Sequence, residues 1–506
     1  MVKTNEGLKE GSRKTIKSNN GIGCVEGQNF KRTAESISSQ LHHLPPDVLR
    51  SILLRLPFRD SCRMGALSHK WQGLWRQCCS KVIFTKATMF HSANTNLRRT
   101  RANFARRVNN ILKQLCSTAT LNKFVVKFGM RRKHSCLVDR WIQFCAAAKA
   151  RHITLDFTPG MAGLAKGSPD DKYIFPMHVF SGADRSSAHL KSLYLGYVCL
   201  HTASAGFTGF ANLKKLTLHN VSVTGDLQCL MLPECAVLEW LSITCCTLPV
   251  LTVCQPLNRL RYLRCNRCSL EKIELQAPNL ATFDLTNRPI SFALGGSPRM
   301  VEATIYLLYN GMPNGDNLDY IYTKLPAALP HVQKLSITSR LSIYDEVLDV
   351  PESTSLQSFA KTSARFINLR HLNLYLPLYG DKSSIGGVLR LSYFLELAPV
   401  LEELELHVDC CDASIQWALR GDMPPHQHDN LKRVLMSGAC CWEGTIELAY
   451  YILRSASKLQ CMIMDPMIRI EPCAVDEWIL ADINKGRKMA KKLLEREEFK
   501  DILTIL

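Results

Sequence analysis

The sequence predicts an α/β chain: an N-terminal three-helix module followed by an irregular solenoid, with a parallel concave sheet and helices on the convex side. Three observations lead there. The unit L-x-x-L-x-L recurs from residue 150 onward, as Ala150-Ile153-Leu155, Leu190-Leu193-Leu195, Leu213-Leu216-Leu218, Leu238-Leu241-Ile243, Leu260-Leu263-Cys265 and Leu280-Phe283-Leu285. It resumes as Val332-Leu335-Ile337, Leu369-Leu372-Leu374, Leu401-Leu404-Leu406, Leu431-Val434-Met436 and Leu459-Met462-Met464. The central apolar position moves from 216 to 241, 263 and 283, steps of 25, 22 and 20 residues, which allow one short strand and one return per unit. The stretch 41–75, by contrast, carries its apolar residues at helical spacing.

The repeat has a simple physical logic. Alternate apolar residues on each strand point inward, and no single unit buries its own apolar face, so stacked units must share one core. Each inward leucine contributes about 1.5–3 kcal/mol when buried. Later steps are longer, 37 residues from 335 to 372 and 30 from 404 to 434, so those units need full helices on the convex side. Over 286–331 the pattern lapses. Between the inward positions, strand alternation turns Lys215, Thr217, Trp240, Ser242, Tyr262 and Arg264 outward on the concave face, making them the candidate substrate-contact residues. Their chemistry is mixed and announces no ligand.

The N-terminal module opens with Leu44-Pro45-Pro46-Asp47. Val48, Leu49, Ile52, Leu53 and Leu56 then form one helix face, which Pro57 stops. Asp60 is placed to cap a second helix carrying Cys62, Met64 and Leu67, and Ser68 a third carrying Trp71, Leu74 and Trp75. Helices this short, in a segment near the ~40-residue floor for an independent core, cannot bury all these side chains among themselves. Part of the apolar surface therefore expects another protein. Leu44, Pro45, Leu49, Ile52, Leu53, Leu56, Pro57, Leu67, Ser68, Trp71 and Trp75 together resemble the F-box, in the pattern LPxxxLxxIL..LP......LSxxWxxLW. That resemblance implies docking on a Skp-family adaptor, and through it a cullin, in an SCF-type ubiquitin ligase. The adaptor-binding residues it implies are Leu44, Pro45, Leu49, Ile52, Leu53, Leu56, Pro57, Leu67, Trp71 and Trp75.

Followed by a basic segment and irregular repeats in the leucine-rich range, the F-box gives an order that resembles the plant F-box/leucine-rich-repeat proteins, in particular their FBD-like branch. Residues Asn430–Pro466 resemble that branch's closing strand, turn, helix and strand, with Ile446, Ala449, Leu453 and Ala456 on the buried helix face. Trp141–Phe157 resembles the entry into the first repeat. The expected organisation is a polar disordered tail over 1–40, the F-box over 41–85 and a basic helical junction over 86–149. A leucine-rich-repeat solenoid over 150–428 and FBD-like repeats with a terminal helix over 429–506 complete it. The family implies a non-catalytic receptor that presents a protein substrate for ubiquitination, with the chemistry in other subunits. Some plant relatives sense small molecules in their repeats, so a small-molecule co-receptor is a second possibility, although no pocket signature accompanies it.

Charge is unevenly distributed along the 506 residues. Residues 81–150 hold 15 Lys and Arg against a single acid, Asp139, out of a whole-chain net charge of +19. Phe104, Val108, Ile111, Leu112 and Leu115 recur at helical spacing, so the arginines of 98–133 decorate the back of a packed helix. Trp141, Phe144, Cys145 and Ala148 line one face of a further helix. A solvated junction is the reading of choice for this segment. The alternative is a surface for nucleic acid or an acidic partner, which lacks a stacking platform or groove reader. No apolar run reaches membrane-span length, and MVKTNEGLKEGSRK has no apolar signal region. Twenty-one scattered cysteines fit a reduced compartment, nucleus or cytoplasm.

Catalytic and metal chemistry find little support. Cys265-Asn266-Arg267-Cys268 has half of a zinc spacing, but both cysteines lie in repeat register, Cys268 at the inward position that closes a strand and Cys246 at the same place one unit earlier. The doublets Cys78-Cys79, Cys410-Cys411 and Cys440-Cys441 have no histidine and acid arranged around them. His426-Gln427-His428-Asp429 follows Pro424-Pro425 and reads as a solvated loop. Phosphate-binding loops of either Gly-rich pattern are absent, as is a serine nucleophile elbow. No catalytic residue, metal or cofactor is expected.

Overall fold

The computed structural model describes residues 44–115, 121–159, 171–181, 188–201, 207–223, 235–308, 317–343, 364–380, 390–410, 426–438, 443–467 and part of 484–506, apart from 57, 66, 91–96 and 254. Pro57 and the expected tail over 1–40 lie outside these residues, as does most of the expected terminal helix. The chain divides into two compact units at Cys78/Cys79.

The first unit holds helices α1 (Pro46–Arg55), α2 (Phe58–Gly65) and α3 (His69–Cys78). Proline opens α1, where its missing N–H would have had no partner, and Leu56 leaves the helix in extended conformation. Ser68 is placed to cap α3, its Oγ 3.4 Å from Trp71 N. Asp60 does not cap α2; it sits inside the first turn and ion-pairs with Arg63 at 3.5 Å. Leu67 lies beyond the end of α2. Gly65 allows α2 close to α3, since a Cβ there would stand 3.2 Å from Trp75 Cγ.

The second unit begins with β1 (Lys81–Thr85), α4 (Lys86–Met89), α5 (Leu97–Gln114), β2 (Lys123–Lys127), α6 (Ser135–Ala147) and β3 (His152–Asp156). Next come β4 (Tyr173–Ile174), β5 (Ser192–Gly196), β6 (Val198–Leu200), β7 (Lys215–His219), β8 (Ser222–Val223) and β9 (Trp240–Thr244). The middle holds β10 (Val250–Val253), β11 (Tyr262–Asn266), β12 (Lys272–Leu275), β13 (Thr282–Asn287), β14 (Ser291–Ala293) and β15 (Glu302–Leu307). Then follow α7 (Leu318–Ala328), β16 (Lys334–Ser339), β17 (Leu341–Ile343), β18 (His371–Gly380), α8 (Tyr393–Leu397) and β19 (Glu403–Cys410). The end comprises β20 (Arg433–Gly438), α9 (Glu443–Ser455), β21 (Cys461–Asp465) and β22 (Leu503–Ile505).

Among the described residues the main sheet is 16-stranded, in the order β1-β2-β3-β5-β7-β9-β11-β13-β15-β16-β18-β19-β20-β21-β22, with β17 also on β18. The small sheets β10-β12-β14 and β4-β6-β8 run beside it. Each pair is parallel and in repeat register: Leu216 faces Leu241, Leu241 faces Leu263 and Leu263 faces Phe283. All four side chains are fully buried, so the inward positions read from the repeat do form one continuous core.

The sheet includes strands beyond the repeat units read from the sequence in three places. The sheet starts at β1, and the stretch LNKFVVKFGM, which reads as a strand within the expected junction, supplies β2, whose Phe124 and Val126 stand in register with Ile153 and Leu155. A phenylalanine cluster fills this end; Phe104 stacks on Phe128 at 4.2 Å and Phe84 meets Phe124 edge-on at 6.0 Å. Within 286–331, β15 supplies a full repeat through Ala303 and Ile305, hidden from the pattern because Met300 and Ala303 replace leucines. At the far end the chain finishes on a strand, β22, paired with β21. The FBD-like arrangement is present as β20, α9 and β21, with Ile446, Ala449, Leu453 and Ala456 buried. On α5, Phe104, Val108 and Leu112 are buried with Ile111 half-buried, and Leu115 just past its end is buried; on α6, Trp141 and Cys145 are buried while Phe144 is half-buried.

Candidate docking surfaces

In the helical unit the residues expected at the adaptor interface separate into two sets. Leu49, Leu53, Trp71 and Trp75 are 0–4% exposed and form the interior. Helices this short have to bury their bulkiest residues against one another, because nothing else can hold them. Pro45 and Leu67 are exposed, Leu67 at 63%, and Leu44, Ile52 and Leu56 are half-buried. Val48 and Leu54, at 43% and 62%, extend this apolar surface; the helical spacing brought out Val48, but nothing in the sequence marked Leu54. Arg50 spans α1 and α3, reaching Asp47 at 3.4 Å and Gln77 at 3.2 Å.

The repeat unit places all six candidate substrate-contact residues on three neighbouring strands, β7, β9 and β11. Lys215 Nζ lies 4.1 Å from the Trp240 ring centre, and Trp240 stacks on Tyr262 at 3.6 Å. The Tyr262 hydroxyl donates to Asp284 Oδ2 at 2.5 Å; partial burial and that carboxylate push its pKa up to about 12. Arg264 is exposed, Thr217 half-buried and Ser242 only 7% exposed. The short Ser242 side chain stands in register between Thr217 and Arg264.

Further along the sheet, charges answer one another. Glu402 binds Arg370 at 2.5 Å and Lys432 at 2.8 Å. Glu403 binds His371 Nδ1 at 2.8 Å and also Arg433, and Asn373 donates to Glu405 at 2.7 Å. The arginines of 98–133 are less free than their sequence suggests. Arg131 is 5% exposed, 3.4 Å from Asp171 and over the Tyr197 ring, while Arg107 binds Met89 O and lies over Phe90. The side chains of Arg98 and Arg99 lie outside the described set.

The cysteine and histidine motifs have structural roles. Cys265, Cys246 and Cys268 are 1%, 1% and 6% exposed. Cys268 Sγ lies 3.4 Å from Asn266 O, Cys246 Sγ lies 3.3 Å from Thr244 O, and Val221 N donates to Cys246 Sγ at 3.4 Å. The hydrogen bond with Cys268, together with burial, holds the Cys246 thiol far above its ordinary pKa. In the His426–Asp429 segment His426, Gln427 and Asp429 are exposed, as its composition suggested, but His428 is not. His428 is 2% exposed; its Nδ1 accepts from Leu431 N at 3.1 Å, so Nε2 donates to Ala398 O at 3.0 Å. Among the described residues no group of three potential metal ligands comes together, and no helix is long and apolar enough to cross a membrane. A cavity of about 570 Å³ lies on α6 beside the Met177–Phe180 turn, lined by Asp139, Gln143, Phe175 and Phe207 among others. Its Asp139 is already engaged by the Tyr173 hydroxyl at 2.6 Å.

Comparison with known proteins agrees with this geometry. The F-box domain model matches residues 41–83, and the model described as At1g61320/AtMIF1, LRR domain, matches residues 113–502. The Arabidopsis thaliana F-box/LRR-repeat protein At3g03360 is 22% identical over 402 residues, 78% of this chain and 74% of the relative. The F-box/FBD/LRR-repeat protein At1g13570 of Arabidopsis thaliana is 22% identical over 369 residues, 72% of this chain and 74% of the relative. An internalin from Listeria monocytogenes str. 4b aligns at 12% identity and TM-score 0.22 over 64% of this chain and 91% of that one; the strand register, not this alignment, carries the fold. Neither the matched domains nor these relatives bear the name of an enzyme. With a helical F-box unit ahead of a parallel repeat sheet, and a repeat-family match over most of its length, this chain belongs to the plant F-box/leucine-rich-repeat family.

Proposed function

We propose that this chain is the substrate-recognition subunit of an SCF-type ubiquitin ligase. The F-box holds a Skp-family adaptor and, through it, a cullin; the repeat sheet holds a protein substrate. The observation that carries this reading is the F-box match on a helical unit whose outer surface keeps Pro45, Val48, Leu54 and Leu67 in solvent while its tryptophans are interior. An exposed apolar rim on a well-packed small module is what a hot-spot interface requires. The receptor acts by proximity, raising the effective concentration of a substrate lysine near a thioester held elsewhere in the complex. We place it in the nucleus or cytoplasm, where its buried thiols stay reduced.

The test is co-purification of the full chain with a plant Skp-family adaptor, wild type against Pro45→Ala/Leu67→Ala. Stoichiometric complex for the wild type and its loss in the double variant are expected. A folded wild-type chain that leaves the adaptor unbound overturns the proposal.

A further inference from the structure

The concave rows of the repeat unit are charged in a segregated way. Parallel register sets Lys81 opposite Lys123, Lys123 opposite His152, His152 opposite Ser192 and Ser192 opposite Lys215. The row continues through Trp240 to Tyr262. At the strand entries beside it, Arg151 and Lys191 add two more exposed cations. Among the described residues none of Lys81, Lys123, Arg151, Lys191 and Lys215 contacts a carboxylate. Lys214, next to Lys215, is the exception on this edge, paired with Glu239 at 2.8 Å. The field is felt by His152, whose pKa is lowered by burial and then by Lys123, Lys191 and Arg151. On β18 to β20, in contrast, Glu402 and Glu403 neutralise Arg370, Lys432 and Arg433.

We propose that the strip running from Lys81 through Lys123, Arg151 and Lys191 to Lys215, ending at the Trp240–Tyr262 stack, docks an extended Asp/Glu-rich segment of the substrate. This rests on the reading of the chain as a receptor for a polypeptide and names the chemistry of what it receives. Three features fit that occupant. Among the described residues none of these cations is held in an ion pair, so binding carboxylates there breaks no existing one. From Lys81 to Tyr262 the strip crosses seven strands, six steps of about 4.8 Å or roughly 29 Å, the reach of about nine extended residues. The Trp240 ring fixes Lys215 without cancelling its charge, so that ammonium is oriented in advance. A single-stranded nucleic acid fits less well, because Trp240 is sandwiched between Lys215 and Tyr262 and offers no open ring face for a base.

The test uses the full chain and a fluorescent ten-residue peptide of alternating Glu and Ser, with a Gln-for-Glu peptide as control, read by anisotropy at two salt concentrations. The Glu peptide is expected to bind, weakening as salt rises, and the Gln peptide not to bind. Lys123→Glu/Lys191→Glu, both exposed and outside the core, should lower affinity about tenfold or more. Arg370→Glu, in the compensated region, should leave it within about twofold. A thermal melt confirms that each variant is folded. Equal binding of the two peptides, an unchanged affinity in Lys123→Glu/Lys191→Glu, or tighter binding of a ten-nucleotide single strand at the same salt overturns the proposal. Adaptor co-purification is run on the same preparations. Peptide binding without adaptor binding supports the strip and removes the ligase reading, whereas adaptor binding without peptide binding overturns the strip alone.

Discussion

His428 shows what one side chain can decide in a repeat. Its neutral ring ties Leu431 N to Ala398 O, and its backbone N–H donates to Ser455 O at 2.7 Å, so three consecutive units meet on it. Protonation would put a second N–H against the amides that Nδ1 now accepts from, and burial already lowers its pKa below the usual 6.5. The sign follows: the unfolded chain takes up a proton near 6.5 while the folded chain resists it. Stability is therefore complete above about pH 6.5 and declines as pH falls toward the folded-state pKa. His371 and His407, also lowered chiefly by burial, act in the same direction. Thermal melts between pH 7.5 and 5.0 should show this loss. His428→Gln should start lower, by about 1–3 kcal/mol, and show a shallower pH dependence; an equal slope would exclude the histidine as its source. A second residue-scale device is backbone handedness. Tyr197, Asn220, Cys245 and Arg267 follow four successive strands with φ between +49° and +58°. Each donates its N–H to a carbonyl at the end of the next strand, the last one or, for Arg267, the last but one, at 2.6–2.9 Å, so the left-handed residue extends the ladder by one bond before the chain turns away. Cys245→Val should cost about 1–2 kcal/mol in denaturant unfolding, since a β-branched residue tolerates that φ poorly.

At the scale of elements, the F-box helices show how burial and docking divide one apolar sequence. Leu49→Ala should destabilise this unit by about 2–5 kcal/mol, because it removes a fully buried side chain from a very small core. Leu67→Ala should leave the melt unchanged and weaken adaptor binding by about 2 kcal/mol. Circular dichroism and adaptor titration on the same samples separate the two. A Leu67→Ala protein that binds as well as wild type would remove that residue from the interface. The turn after β11 makes the equivalent point for cysteine. Cys268 completes a hydrogen-bonded thiol pair with Cys246, so Cys268→Ser should lower stability by about 1 kcal/mol with no change in metal content. One stoichiometric zinc lost from the purified protein on this substitution would refute the packing role.

Across the whole molecule, stability is transmitted between neighbours. Each strand of the main sheet shares its inward residues only with the strands beside it, so the array behaves as a one-dimensional stack. Leu263→Ala should cost about 2–5 kcal/mol, and hydrogen exchange should rise first in β9, β11 and β13 and much less in β19 to β21. A uniform rise along the sheet would show that the solenoid opens as one unit. The same stacking turns a scattered sequence of charges into aligned rows. Lys81 and Lys215 are distant in sequence but only four strand steps apart, and that row is the basis for the acidic-segment proposal.

The sequence by itself determined the repeating core. Eleven L-x-x-L-x-L units are strands in register, because alternation and a 20–25-residue step leave the chain few other ways to bury those leucines. It also determined the helical F-box through its Leu-Pro turn and paired tryptophans. What only the tertiary structure decided is which residues face which neighbour. Helical periodicity marks Leu49 and Ile52 alike as apolar, yet crossing helices bury one and half-expose the other. Composition makes His428 a loop residue, yet the adjoining repeat closes over it. Met300 and Ala303 broke the leucine pattern, but any inward side chain of fitting volume continues the sheet, so β15 is in place. A repeat pattern specifies the period of burial. Contacts between units, made by residues distant in sequence, settle the surface.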